Sequence, residues 1–207
     1  MATGERQAHW DHVYASKGEK EVSWFETSPA MSLELIHATA VPRDAPVIDI
    51  GGGASRLVDT LLDEGYSAVT VLDLSEQALA KARARLGGRA ASVRWIAADV
   101  TRWLPVAGFQ VWHDRAAFHF LTAPEDRAAY VERVLAALRP DGHLIIGTFA
   151  LDGPERCSGL PVERYDAGSL GQVLGAAFAW VETRLHEHVT PMGRVQRFQF
   201  SRFLRKP

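Results

Sequence analysis

The sequence predicts an α/β protein whose sheet is doubly wound, mostly parallel and closed by an antiparallel C-terminal hairpin. Three observations carry this. Short apolar runs alternate with amphipathic segments from about residue 45 to residue 150. A glycine cluster, "DIGGGAS" (Asp49 to Ser55), follows the first apolar run directly. Two long strand-like stretches near the end, "AWVETRLHEHV" and "RVQRFQFSRFLR", flank the turn-like "TPMG", and strands joined that closely pair antiparallel.

Each element follows from local chemistry. "SPAMSLELIHAT" reads as a helix, with Ser28 as cap and Pro29 in the first turn. "APVIDI" is a buried strand, and "SRLVDTLLDEG" a helix ending near Gly65. "AVTVLDL" is the second strand. "SEQALAKARARLGG" is a helix capped by Ser75 and stopped at Gly87. "SVRWIAAD" and "FQVWHD" are the third and fourth strands. "TAPEDRAAYVERVLAALRPDG" carries a capping-box pair, Thr122 with Glu125, places Leu135 and Leu138 on its core face and meets Pro140 just past its end. "HLIIGTF" is the fifth strand and "DAGSLGQVLGAAF" a last helix. With the terminal hairpin the sheet has seven strands. One domain is expected over residues 1–207: an aromatic leader and helix (1–40), a nucleotide-type core (41–150), and a loop, helix and hairpin (151–207).

Composition bounds the class. Of 207 residues, 47% are hydrophobic and 23% charged, with a net charge of −2. These are ordinary values for a globular chain, and they offer no basic surface for nucleic acid. The one cysteine, Cys157, excludes an internal disulfide and a multi-thiolate zinc site and fits a reducing compartment. No apolar stretch approaches the ~20 residues of a membrane span. "MATGERQAHW" has no apolar h-region. A cytoplasmic location is expected, with no membrane partner. Oligomeric state is not legible.

The glycine loop narrows the ligand. A dinucleotide site uses G-x-G-x-x-G, with pyrophosphate at the helix N-terminus. Gly51 and Gly53 fit, but Arg56 fills the third slot. None of Tyr14, Tyr66, Tyr130 or Tyr165 has the lysine four residues on that short-chain reductases use, and no Gly-Lys-Ser/Thr P-loop occurs. An NAD(P)-dependent oxidoreductase is thereby disfavoured as the alternative. Asp73, at the end of the second strand, is placed to accept from a ribose diol or to cap the next helix.

Asp49-x-Gly51-x-Gly53-x-Ser55, then Asp73, Asp99 in "AADV", and Asp114 in "WHDRAAFHF", stand in order at strand ends. In this the chain resembles the class I S-adenosylmethionine-dependent methyltransferases. The resemblance covers roughly residues 45 to 150 and implies a Rossmann-like fold with S-adenosyl-L-methionine as cofactor and S-adenosyl-L-homocysteine as product. It further implies cofactor contacts from Asp49, Gly51, Gly52, Gly53, Asp73, Leu74, Asp99, Val100 and Asp114. Asp49 would serve the ammonium, Asp73 the ribose, and Asp99 with Val100 the adenine. Glycines there permit close backbone approach.

The leader packs Trp10, Tyr14, Trp24 and Phe25 into sixteen residues. It reads as cover for the sheet edge and as a lid over a sulfonium, since aromatic faces attract cations. Its pattern also resembles leaders of methyltransferases acting on protein lysines. The acceptor is therefore a small molecule or a protein-lysine side chain. Base methylation of nucleic acid is disfavoured, because "HDRA" stands where Asp/Asn-Pro-Pro-aromatic is usual. A chain that keeps the fold and binds cofactor without catalysis is the third alternative. Candidate catalytic residues are His119, Tyr14 and Arg115, with His113 also in reach. The loop Cys157–Tyr165 and His186, His188 and Gln196 are expected near the acceptor. Cys157 with His186 or His188 offers no third ligand, so no metal is expected.

Overall fold

Strand β1, Val47–Ile50, is buried at every residue, as is β2, Val69–Asp73. Neither alternates because helices cover both faces of the sheet. Strands β3 (Val93–Ala97), β4 (Phe109–Arg115) and β5 (Leu138–Phe149) follow in parallel. Strands β6 (Phe178–Val189) and β7 (Val195–Arg205) form the hairpin, and β7 pairs antiparallel with β5. The order across the sheet is β3-β2-β1-β4-β5-β7-β6. The computed structural model describes residues 3–105 and 108–207; the leader's first two residues lie outside them.

Alternate residues of each strand feed two cores. Val47, Val71, Val111 and Ile145 pack with helices α2 (Ala30–His37), α3 (Leu57–Asp63) and α4 (Glu76–Leu86). Ile48, Ile50, Leu72, Trp112, Leu144 and Ile146 face the other way, onto α5 (Pro124–Ala137) and α6 (Ala167–Leu174). The chain leaves β1 toward β2 on one side and β4 on the other. That reversal opens a crevice beyond the strands' carboxyl ends, the usual ligand position in such sheets. Among the described residues no helix is long and apolar enough to cross a membrane.

The leader forms helix α1, Thr3–Ser16, with Val13 and Tyr14 buried. It is pinned to α4: the Ser75 hydroxyl donates to Asp11 Oδ1 at 2.6 Å, and Lys81 Nζ donates to the Lys17 carbonyl at 2.8 Å.

Several local expectations hold. Ser75 accepts from the Ala78 N–H and Gly87 closes α4; the Thr190–Gly193 turn joins β6 to β7. Others need correction. Ser28 does not cap α2; Pro29 occupies the cap position without a side-chain bond. Thr122 does not cap α5 either. Pro124 fixes the first helical residue and moves the cap to Ala123, breaking the Thr122–Glu125 box. Leu138 is buried but begins β5, opposite Phe109, and Pro140 sits in the irregular stretch before the register resumes at His143.

Candidate functional site

A cavity lies at the crevice. Its floor comes from Ile50 and Gly51 after β1, Asp73 and Leu74 after β2, and Asp99 and Val100 after β3. Its walls are Arg115 to Ala117, Phe120, Phe149 and Phe198. Its roof is the leader, through Arg6, Trp10, Tyr14 and Trp24. Trp10 meets Phe120 edge-on at 5.0 Å and Trp24 at 5.7 Å, so the leader's rings lock onto the rim.

The glycine loop is built over two acids. Gly51 faces the cavity at φ +67°, and a Cβ there would stand 2.7 Å from Ala117 Cβ. A Cβ on Gly52 would collide with Asp49 Oδ2, and one on Gly53 would lie 2.5 Å from Asp73 Oδ2. Thus only Gly51 lines the cavity. Gly52 and Gly53 are small because the loop packs on carboxylates. Asp49, 3% exposed, lies beneath the loop and does not face the cavity. It accepts from His113 Nδ1 at 2.7 Å, and His113 Nε2 lies 2.9 Å from the Ser32 hydroxyl. A carboxylate only accepts, so Nδ1 carries a proton.

Asp73 accepts from the Ser75 N–H at 2.8 Å and presents its other oxygen toward Gly53 and the cavity. Burial pushes its pKa up to about 7, with Asp49 and Asp11 adding repulsion against the Ser75 and Gly53 N–H bonds. Such a carboxylate gains from further donors, and a ribose diol supplies two. Together with the tight cradle at Gly51, this fits an adenosyl cofactor.

Asp99 is taken up by its neighbours. Thr101 N–H (2.9 Å) and hydroxyl (2.7 Å), Thr3 hydroxyl (2.8 Å) and Arg6 (3.2 Å) all donate to it. Against the desolvation that raises it, these donors hold its carboxyl below the ordinary range. An adenine contact there competes with α1.

Residues 47–142 match a family described as "Methyltransferase domain". A mouse "eEF1A lysine and N-terminal methyltransferase" is 28% identical over 131 residues, 62% of this chain but 18% of that protein. The chain thus spans under a fifth of the length of such relatives. "Thiocyanate methyltransferase 1" of Arabidopsis thaliana is 28% identical over 155 residues, 70% of this chain and 67% of that protein. Among solved structures, Burkholderia thailandensis 1,6-didemethyltoxoflavin-N1-methyltransferase superposes with TM-score 0.71 at 23% identity, over 100% of this chain and 92% of that one.

Over residues 47–142 the chain is similar to the class I S-adenosylmethionine-dependent methyltransferase family.

S-adenosylmethionine is the cofactor of this family, and the cavity holds the residues that suit it: Gly51, Asp73, Leu74, Asp99 and Val100, with Tyr14, Trp24 and Arg115 opposite. Asp114 departs from expectation. Fully buried, it accepts from the Ala117 (3.0 Å) and Phe118 (3.1 Å) N–H groups and from the Tyr130 hydroxyl (2.7 Å), and it does not line the cavity. Burial raises its pKa to about 6. It shapes the turn that delivers Ala116 and Ala117 to the cavity.

His119 is likewise corrected as a candidate base. It is fully buried, packs against Phe120 at 4.5 Å and Phe149 at 4.9 Å, and stands outside the lining that those two rings supply. Neither ring nitrogen finds a hydrogen-bond partner among the described residues. Burial, then Arg115, lowers its pKa to about 3, so it stays neutral. Tyr14 lines the cavity, but burial first and Asp73 second hold its phenol far above neutrality. It can orient an acceptor and cannot deprotonate one at neutral pH.

Arg115 lines the cavity as a buried cation. It donates to the Trp24 carbonyl at 3.0 Å, pairs with Glu26 at 2.9 Å and lies 5.2 Å over the Phe198 ring. Its Nε and Nη2 have no hydrogen-bond partner among the described residues, so the Glu26 contact is an ion pair. From the Cys157–Tyr165 loop only Cys157 reaches the cavity, and burial pushes its thiol up to about 11. Arg164 instead bonds Gly153 and Glu155, and Tyr165 joins the core beside Phe118. Gln196 lines the cavity. His186 and His188 lie beside Glu26, 3.7 and 3.4 Å from its Oε1.

Glu26, Ser32 and Arg6 were not singled out from sequence. Glu26 sat in "SWFETSP" as one more surface-like acid, and nothing local marks its tertiary partners.

Proposed function

We propose that the chain methylates a small nucleophile that reaches the cavity already deprotonated, by direct transfer from S-adenosylmethionine. The observation that carries this reading is the set of titratable groups around the cavity. Tyr14 and Cys157 are protonated at neutral pH, His119 lies behind the wall, and Asp73 belongs to the ribose position. No side chain among these is free to take a proton from an acceptor such as an alcohol or a protonated amine. A soft anion or a low-pKa thiol needs no base. Arg115, which lines the cavity as a cation, favours an anion there.

The bound cofactor supplies an electrophilic methyl on a sulfonium. The chain's part is to orient and to exclude water. Asp73 and Gly51 fix the adenosyl end, and Trp10, Tyr14 and Trp24 close the roof. The thiocyanate methyltransferase and the 1,6-didemethyltoxoflavin-N1-methyltransferase, both named for small acceptors, support this reading. A protein lysine, as the eEF1A methyltransferases are named for, is the second reading, supported by the leader and the 28% identity.

The test is a labelled-methyl assay on cell lysate with protein and metabolite fractions separated. A panel of purified thiolates, thiocyanate-like anions and amines follows. Label in small molecules, with thiolates turned over at a rate that follows their ionised fraction, is expected. Label confined to protein would favour the lysine reading and overturn this one.

A further inference from the structure

We infer that Glu26, His186 and His188 form a site for one divalent ion of the zinc class, tying the leader to the edge of the sheet. The site lies outside the cofactor cavity, around a shallow cleft that Phe25 and Ser28 also line.

The sequence places two imidazoles on one face of β6, because residues two apart on a strand point the same way. It does not show a third ligand. The fold brings Glu26 across from the leader, and the three ligand atoms lie within 4.8 Å of one another. Glu26 Oε1 is 3.7 Å from His186 Nε2 and 3.4 Å from His188 Nδ1. A tetrahedral zinc with bonds of about 2.1 Å holds its ligand atoms about 3.4 Å apart. Two of the edges are near that value, and closing the third takes a small side-chain movement.

The surroundings orient the ligands. His188 Nε2 donates to the Ser23 carbonyl at 2.6 Å, which turns Nδ1 toward Glu26. A metal-bound histidine ordinarily anchors its second nitrogen in this way. Arg115 forms an ion pair with Glu26 at 2.9 Å, as ligating carboxylates are commonly held in turn. Arg115 and the nearby Lys20 are cations, so the site favours an ion that binds imidazole strongly. Two nitrogens and one oxygen suit zinc, cobalt or nickel over calcium and magnesium, which take oxygen ligands. His188 is 3% exposed at its side chain and His186 30%, so one side stays open to solvent for a fourth ligand. Without an ion the same atoms can be held by a protonated histidine against Glu26, and the experiment separates the two cases.

The full chain, stripped with chelator, is titrated with cobalt(II) while visible ligand-field absorption is read, and zinc is then added in competition. One cobalt per chain is expected, displaced by zinc, with zinc raising the Tm. His186→Ala is the principal variant, because His186 is half-buried and stands outside the Arg115 pair. It should bind at least about 10–100-fold more weakly and show no zinc-dependent Tm, with its circular dichroism unchanged. Glu26→Gln should weaken binding similarly. His12→Ala, at an exposed position on α1, should bind as the wild type does. An absence of stoichiometric binding to the wild type, equal affinity in His186→Ala, or equal loss in His12→Ala would overturn the site and leave an ion pair only. The readout is metal binding, so it is independent of whether methyl transfer is observed.

Discussion

Replacing Asp73 by Asn should make the cofactor-free protein more stable and the cofactor weaker. In the folded chain Asp73 titrates at about 7, against an ordinary 3.8. Burial is the largest cause. Between those two pH values the native state holds a proton that the unfolded chain has released, so stability falls as pH rises through the window. At about 1.36 kcal/mol per pH unit, the gap sets an upper bound of about 4 kcal/mol at pH 8. Asn removes this term and keeps an oxygen for the Ser75 N–H, but its amide meets the Gly53 side less well. A net gain of about 1–3 kcal/mol is expected, which for a chain of this size raises Tm by about 2–10 °C. The gain should shrink to about 0.5 kcal/mol near pH 4 and vanish only below about pH 3, where wild-type Asp73 is protonated in both states. Cofactor binding moves the other way. With its one oxygen on Ser75, Asn accepts little from the ribose diol, and about 2–4 kcal/mol of charge-assisted hydrogen bonding is lost, roughly 30- to 1,000-fold in Kd. Thermal melts at pH 4 and pH 8, with calorimetric titration of S-adenosylhomocysteine, read both effects. A variant that melts at or below wild type at pH 8, or binds within about threefold of it, would refute the reasoning and leave Asp73 as a turn acceptor only.

Three further outcomes follow from other contacts. His119→Leu should keep activity and gain about 1 kcal/mol in denaturant melts, since two unpartnered buried nitrogens are removed; loss of kcat with the fold intact would restore His119 as a catalytic group. Glu26→Gln should lower stability by about 2–4 kcal/mol by leaving Arg115 buried without its counter-charge, and Arg115→Met in the same chain should recover part of it; a double variant no better than the single would show that the pair contributes nothing. Deleting residues 1–16 should preserve the sheet's circular dichroism and reduce transfer at least about 100-fold by opening the site. Cofactor affinity should change little, because Asp99 is released from Thr3 and Arg6 as the roof is lost; full turnover by the truncated chain would remove the leader from the site.

The sheet was legible because its first strands are short, largely apolar runs separated by amphipathic segments; Ser75, Gly87 and "TPMG" each fixed an element end through local chemistry. Ser28 and Thr122 misled because a neighbouring proline moved the helix start by a residue. In the site, residue identity was readable and direction was not. Asp114 and Arg115 are adjacent on β4, so they face opposite ways; only Arg115 enters the cavity. Asp49 turned under the loop because His113, 64 positions away, holds it there. Glu26 with His186 and His188 is joined across about 160 residues, beyond any local pattern.

The acids beneath the glycine loop bear on selectivity inside a crowded cell. ATP and the oxidised or reduced nicotinamide dinucleotides are abundant competitors, and all share adenosine with the cofactor. What distinguishes them is the polyanion attached at the 5′ carbon. Loops that take such polyanions turn bare N–H groups toward them. Here Gly52 and Gly53 rest on Asp49 and Asp73, and acids beneath the loop disfavour a polyanion held against it. The same acids attract an ammonium and a sulfonium. The loop therefore sorts adenosine conjugates by the sign of their charge, before any contact with the tail is made.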